Sequence, residues 1–257
     1  MGFGQEYRPR MDKTAFRPIH TATCEVVCSS CNLREICLPV GLTRLELAYV
    51  DAHMVSTRRK VPRGASLYQA GDRFESVYAV WTGFFKTLVS SSDGRGQVTG
   101  FQLGGELLGL DGIGSRRHEV DAVALEDSQV CVIPFEALET LSHEVPSLQQ
   151  QLNRIMSREI VRNHGVMLLL GSMYAEERVA AFLLNLTHRL QARGFSASSV
   201  LLRMTREEIG SFLGLTLETV SRTFSKFQSD GLLFVRNRQI RITDPVGLQQ
   251  IVDGATH

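Results

Sequence analysis

The chain has 257 residues, 43 % hydrophobic and 21 % charged, with a formal net charge of +1. That is enough chain to bury a core without disulfides, and it is too apolar and too varied for a disordered or low-complexity protein. A near-zero net charge excludes a broadly cationic nucleic-acid binder, so any contact with nucleic acid has to come from a local patch.

Residues 1–20 mix Arg, Lys, Pro and Gly without periodicity and predict a mobile arm. The opening "MGFGQEYRPRMDKTAF" lacks the apolar core of a secretory signal, and no apolar run reaches the ~18 residues that span a bilayer. The expectation is a cytoplasmic protein with no membrane partner. In that reducing compartment clustered thiols are more often metal ligands or redox centres than disulfides. Four of the five cysteines fall in "CEVVCSSCNLREIC", Cys24 to Cys37, spaced C-x3-C-x2-C-x5-C. Four thiolates from Cys24, Cys28, Cys31 and Cys37 could make a tetrahedral zinc site by themselves. The spacing is not that of a ferredoxin. The fifth, Cys131, reads on its own as a small core residue.

From about Arg58 to Phe135 the chain changes to short β-rich runs such as "SVYAVWTGFFKTLV" and "SQVCVIPF", separated by Gly-bearing turns. Strands this short and closely spaced predict an antiparallel barrel or jelly roll at roughly 40–145. Between Pro146 and Leu170 the period becomes helical, with Leu148, Leu152, Met156, Ile160, Met167 and Leu170 around a polar Asn163. Such a stripe can pack on the β domain. An apolar seam with one Asn is also how a dimer helix fixes its register. The segment "YAEERVAAFLLNLTHRLQARG" predicts a further amphipathic helix stopping at Gly194.

After a predicted strand at "SVLLRM", Thr205 and Glu208 form a Thr-x-x-Glu capping box, so a helix starts there. It carries Ile209, Phe212 and Leu213 to Gly214, and a second helix starts at Thr216 with Val220, Phe224 and Phe227 on one face. Two short helices joined by a tight Gly turn describe a helix-turn-helix, whose second helix enters the major groove of double-stranded DNA. Glu218, Ser221 and Arg222 then point outward: Arg can grip guanine O6 and N7, Glu can accept from cytosine N4, and Ser can adapt. The run "LLFVRNRQIRI" predicts a basic β-hairpin around Asn237, with Arg236, Arg238 and Arg241 placed for phosphates. From Arg203 to Arg241 there are seven basic and four acidic residues, a modest patch that favours two copies per site.

A cysteine arm, a β-roll, a long helix and a winged helix in this order resemble the CRP/FNR family of bacterial transcription regulators. The motifs "GFQLGGELLGLDGIGS", "CVIPFEALETLS", "AEERVAAFLLNL" and "LGLTLETVSRTFSKFQ" are similar to its oxygen-sensing FNR/Anr branch. The resemblance implies an α+β fold divided into an arm with the cysteines at 1–39, a β-roll sensory domain at 40–145, a dimerisation helix at 146–172 and a winged helix-turn-helix domain at 173–257. It also implies one oxygen-labile [4Fe-4S] cluster per subunit on Cys28, Cys31, Cys37 and Cys131, with Cys24 spare.

By the same resemblance the protein is a homodimer in the absence of oxygen, with Leu152, Met156, Ile160, Asn163 and Met167 at the interface. It reads TTGAT-N4-ATCAA-like palindromes with Glu218, Ser221 and Arg222, while Thr205, Thr216, Arg236 and Arg238 meet the DNA backbone. Exposed roll turns, including "SSDGRG", would touch RNA polymerase. Oxygen is the expected signal, with nitric oxide a second reactant of such clusters. Cyclic-nucleotide receptors of the family hold the phosphate with an Arg shortly after Gly-Glu-Leu. Here Gly105, Glu106 and Leu107 are followed by "RRHEVDAVAL", acidic where that Arg is expected, so no cyclic nucleotide is predicted. Nothing in the chain calls for an enzyme. Asn163 stands where well-studied FNR proteins carry an Asp whose charge opposes pairing, which predicts easier dimerisation without the cluster. The reading from a different class is a zinc-stabilised DNA-binding or adaptor protein without oxygen sensing.

Overall fold

The computed structural model describes residues 27–54, 57–90 and 96–254; the predicted arm at 1–20, Cys24 and all of "SSDGRG" but its last Gly lie outside them. The described chain opens on a 3-10 turn at Cys28–Ser30, and helix α1 follows at Arg44–His53. α1 begins where Thr43 and Glu46 satisfy each other's backbone N–H groups in a capping box. From its far end Asp51 accepts hydrogen bonds from the backbone N–H of Cys28 (2.7 Å) and Ser29 (3.1 Å), so this helix fixes where the cysteine turn starts.

Eight strands follow: β1 (Thr57–Val61), β2 (Ser66–Tyr68), β3 (Ser76–Thr82), β4 (Phe84–Ser90), β5 (Gly96–Leu103), β6 (Leu107–Leu108), β7 (Asp121–Ala124) and β8 (Ser128–Pro134). They form two antiparallel sheets, in the orders β1-β8-β3-β6 and β2-β7-β4-β5. The space between them is filled by Val61, Leu67, Val80, Phe85, Leu108 and Val130, the double-sheet roll expected from the strand spacing. β4 alternates, with Phe85 and Thr87 turned inward, whereas β5 is buried from Gly100 to Leu103. The difference arises because both faces of β5 are covered, one by the roll and one by the C-terminal region.

Helix α2 (Phe135–Glu144) leads into α3 (Pro146–Ser172), with Pro at the first helical position, where its missing N–H leaves nothing unpaired. Leu148 and Ile155 are buried beside Leu38, Val50 and Leu138 in the roll's outer core, and Leu152 packs partly against the same cluster. The apolar stripe therefore changes neighbours along its length: its first turns belong to the chain's own core. Past Ile155 one side of the helix still faces the roll through Glu159 and Arg162, while on its other side Ile160, Val161, Met167 and Leu168 are 56 %, 65 %, 69 % and 60 % exposed.

The C-terminal part comprises α4 (Ala175–Gln191), β9 (Ser199–Leu201), α5 (Arg206–Leu213), α6 (Leu217–Ser229), β10 (Leu233–Arg236), β11 (Gln239–Ile242) and α7 (Pro245–Asp253). α4 closes at Gly194 as expected: with φ +79° this glycine lets its own N–H donate to the Gln191 carbonyl at 2.9 Å and the Phe195 N–H donate to the Leu190 carbonyl at 3.1 Å. The three strands pair in the order β10-β11-β9 against the helices, with Ile209, Val220, Phe227 and Ile240 buried in one cluster. Val98, Phe101 and Leu103 of β5 belong to that cluster as well, so the roll and the C-terminal part share a core.

Polar contacts fasten the same joint. Lys86 Nζ lies 2.7 Å from Glu208 Oε1, and the Val98 N–H donates to Ser211 Oγ at 2.9 Å. Burial pushes the Glu208 carboxyl up, but bonds from Lys86 and Thr205 outweigh it and hold the group below its ordinary value. A depressed carboxyl stabilises the fold above its unfolded pKa of about 4.3 and loses that contribution as the pH falls through the folded value. The urea midpoint is therefore expected to drop between pH 5 and pH 3, and Glu208→Gln should make the drop smaller. An unchanged drop in the variant refutes the assignment.

Candidate functional site

In the helix-turn-helix unit, the Thr205 hydroxyl accepts from the Glu208 N–H at 3.1 Å and starts α5. Gly214 ends it with φ +63°, a left-handed conformation that a side chain would strain. Thr216 caps α6 by accepting from the Thr219 N–H at 3.2 Å. Both threonines are exposed; the Thr205 hydroxyl also bonds the Glu208 carboxylate, and Thr216 Oγ1 lies 3.0 Å from Thr219 Oγ1. With Val220, Phe224 and Phe227 committed to the core, α6 turns Glu218 and Arg222 to solvent and leaves Ser221 half-buried beside them. Arg222 Nη2 lies 3.4 Å from Thr219 Oγ1. Lys226, one turn on, is held by Glu176 of α4 at 2.6 Å, which takes its charge away from the patch.

The hairpin turns at Asn237, φ 57°, between β10 and β11. Arg236, Arg238 and Arg241 are exposed; Arg241 lies over the Phe234 ring at 5.3 Å and Arg238 Nη1 donates to the Arg203 carbonyl at 3.3 Å. Two arginines escape pattern reading. Arg206 stacks 3.5 Å over the Phe224 ring beside Ser221, burial pulls its pKa down to about 10, and its Nη1 has no partner among the described residues. Arg178 donates to the carbonyls of Leu170 (2.9 Å), Met173 (2.8 Å) and Leu213 (3.0 Å), pinning the end of α3 to the end of α5. Capping patterns reveal local bonds, and both of these contacts cross between elements.

The second constellation is the thiols. Cys28, Cys31 and Cys37 on the opening turn and Cys131 on β8 are all free and half-buried, and each lies within electrostatic reach of others in the set. Burial, then neighbouring Cys37, Asp51, Cys131 and Cys31, pushes the Cys28 thiol up to about 12; burial does the same for Cys37. Burial also raises Cys131, opposed by the Arg58 guanidinium that faces it in register across β1. A group able to bind these sulfurs as thiolates must therefore bring positive charge of its own. Among the described residues no three His, Cys, Asp or Glu side chains stand close enough for one metal ion. Tetrahedral zinc with bonds of about 2.3 Å draws its sulfurs to about 3.8 Å from one another. The four thiols therefore stand near one another without the spacing of a closed zinc site, and a group bridging all of them would have to be larger than one ion.

A cavity of about 460 Å³ lies between the second sheet and α3, with Tyr68, Gln102, Asp111, Glu159, Arg162 and Asn163 in its wall. The acidic residues expected to bar a phosphate are placed differently: Glu119 is exposed, and Asp121 accepts from the Ala70 N–H at 2.7 Å in a turn. Asp111 and Glu159 bring the carboxylates to the cavity instead. His118 is buried, stacked on Tyr68 at 3.7 Å with Nδ1 3.6 Å from Asp111, a structural histidine.

Residues 58–144 match the cyclic nucleotide-binding domain family and residues 177–251 match the Crp-like helix-turn-helix domain. The chain is 48 % identical over 225 residues to the transcriptional regulatory protein btr of Bordetella pertussis, covering 88 % of this chain and 93 % of that one. It is 41 % identical over 240 residues to the fumarate and nitrate reduction regulatory protein of Escherichia coli K12, covering 93 % and 96 %. The solved structure of FixK2 from Bradyrhizobium japonicum superimposes with a TM-score of 0.71 at 34 % identity, over 77 % of this chain and 97 % of that one. With a β-roll, a long helix and a winged helix-turn-helix in that order, and identity of this level over most of the chain, the protein belongs to the CRP/FNR family of transcription regulators.

Proposed function

We propose that the protein is an oxygen-responsive regulator that binds double-stranded DNA as a homodimer and whose DNA affinity depends on one [4Fe-4S] cluster per subunit. The observation that carries the reading is the meeting of Cys28, Cys31 and Cys37 with Cys131, a strand residue far away in sequence. When bound, such a cluster supplies an oxygen-reactive centre, and nitric oxide is a second candidate reactant. The chain supplies four sulfurs, the Asp51 anchor of the cysteine turn and the Arg58 charge beside Cys131.

The exposed half of α3, with Ile160, Asn163 and Met167 and the half-buried Met156, is the surface for a second copy. Two recognition helices are then set one turn of DNA apart on a TTGAT-N4-ATCAA-like palindrome, with Glu218, Ser221 and Arg222 reading each half. Thr205, Thr216, Arg236 and Arg238 are exposed and suit phosphates. The segment 91–96, of which the structure describes only Gly96, is the part of the chain assigned to RNA polymerase in this reading. The name of the Escherichia coli relative supports genes of anaerobic metabolism as targets. The carboxylate of Asp111 in the roll cavity disfavours an anionic cyclic nucleotide, while Glu159 there is paired with Arg162. No helix of the described residues is long and apolar enough to cross a membrane, and a DNA-binding role is cytoplasmic.

Protein purified without oxygen is expected to be straw-brown and to bleach in air. A colourless protein carrying one zinc per chain sinks the reading. Asn163 adds a second expectation. It is exposed on the free half of α3, where two facing amides hydrogen-bond and two carboxylates would repel. Sedimentation of the cluster-free protein at micromolar concentration should therefore show dimer, and Asn163→Asp should shift it to monomer. Monomer in both proteins is the contrary result.

A further inference from the structure

The turn between β5 and β6, Gly104 to Glu106, is touched from three sides. The cysteine turn presses on it first. Leu33 Cδ1 stands 3.7 Å from where a Cβ on Gly104 would be, and a Cβ on Gly105 would come within 2.8 Å of Ile36. Gly105 has φ +82°, so its backbone takes a shape that only glycine holds easily and lets Ile36 lie directly on it. Leu33 and Ile36 are themselves bonded into the cysteine turn: the Leu33 N–H points at Cys31 Sγ at 3.5 Å, and the Cys37 N–H donates to the Leu33 carbonyl at 2.9 Å.

From the opposite side come three guanidinium groups. Arg189 Nε of α4 donates to Glu106 Oε1 at 3.0 Å, and Arg193 Nη2 donates to the same oxygen at 2.7 Å. Arg193 Nε also holds the Gly104 carbonyl. Arg162 of α3 lies 3.8 Å from Glu106 Oε2 and is tied to Glu159 of its own helix. The turn is fastened to the roll by the Gly105 N–H, which donates to the Val80 carbonyl at 2.7 Å. The Glu106 side chain is only 17 % exposed, so its charge is balanced by these arginines and little by solvent. Three cations gather on this carboxylate, and without it they would face one another with Glu159 alone as counter-charge.

We propose that the Gly104–Glu106 turn is the positioning element that carries the state of the cysteine turn to both outputs, with Ile36 and Leu33 as its input, Arg162 as its hold on the dimer helix, and Arg189 and Arg193 as its hold on the DNA-binding domain. The proposal rests on the cluster-dependent function above. Backbone contact at Gly105 leaves no slack, so a shift of Ile36 moves the turn. Glu106 then redistributes its bonds between α3 and α4, which changes how the free half of α3 and the reading head are held together.

The test compares the operator affinity of full-length protein with and without its reconstituted cluster, for the parent, Glu106→Gln, Glu106→Asp and Ile36→Ala, alongside iron and sulfide content. Glu106→Gln is expected to load as much iron as the parent yet to lose at least tenfold of the cluster-dependent gain in DNA affinity. Glu106→Asp, which keeps the charge, should restore most of it. Ile36→Ala leaves the arginine cluster intact and should reduce the gain severalfold, so it decides the matter if Glu106→Gln does not fold. A parent that responds while Ile36→Ala and every folded Glu106 variant respond equally overturns the coupling and leaves the oxygen-sensing reading standing. A parent whose affinity ignores the cluster overturns both.

Discussion

Replacing Cys131 with Ala is expected to leave a folded protein that no longer turns brown and that binds its operator, without oxygen, no better than cluster-free parent. Cys131 is half-buried on β8, in register with Arg58 and Ala79, and its side chain adds only a small packing contribution to the roll's outer core. Exchange for Ala at such a site changes stability by about 1 kcal/mol, so the urea midpoint should hardly move. The large effect is chemical. In the proposed cluster the thiols of the opening turn would supply three sulfurs from a short, partly exposed segment, and Cys131 would be the one that ties this segment to the sheet. The same exchange at Cys24, spare by resemblance, is expected to change neither colour nor DNA affinity. A zinc site built from Cys24, Cys28, Cys31 and Cys37 reverses both results, because it needs Cys24 and has no use for Cys131. The pair of variants therefore separates the two readings by metal content alone, before any DNA is added.

That split also shows where sequence reading reaches its limit. Caps, turns and periodic faces are local, and they announced α3, both helices of the reading head and the hairpin at Asn237 with the right chemistry at each end. Cysteine spacing is local as well, and it pointed to a four-thiol knot within fourteen residues. Only the pairing of β8 with β1 and β3 brings Cys131 to the turn, and no period in the sequence encodes that approach. The stripe on α3 is legible for the same local reason, yet its division into first turns packed in the chain's own core and an exposed Ile160 and Met167 further on depends on where α2 and Leu38 lie. Glu106 read as part of a Gly-Glu-Leu motif. Its partners Arg189, on α4, and Arg193, just past its end, lie more than eighty residues further on, and the ion cluster exists only once the C-terminal part docks on β5.

Arg222→Ala and Arg236→Ala are expected to weaken DNA binding in two different ways. Arg222 lies on the exposed side of α6, opposite Val220, Phe224 and Phe227, so its truncation removes a donor pair without disturbing the helix. A bidentate contact from Arg to guanine discriminates by ~1 to 3 kcal/mol, and a two-fold dimer makes it twice, for ~2 to 6 kcal/mol on the cognate palindrome. Affinity for that palindrome should fall roughly thirtyfold or more, while operators already altered at the contacted base pair should lose much less. Arg236 is exposed at the end of β10, where it suits a phosphate. Its loss should lower affinity for every sequence by a similar factor. It should also flatten the dependence of log K on log salt by about 0.9 per phosphate contact, twice that for the dimer. Titrations of the cognate operator, a set of single-base variants and unrelated DNA, each at three salt concentrations, separate the two behaviours. Equal losses on all sequences for Arg222→Ala, with a flattened salt slope, would move that residue from base reading to backbone contact and leave Glu218 and Ser221 to carry the specificity.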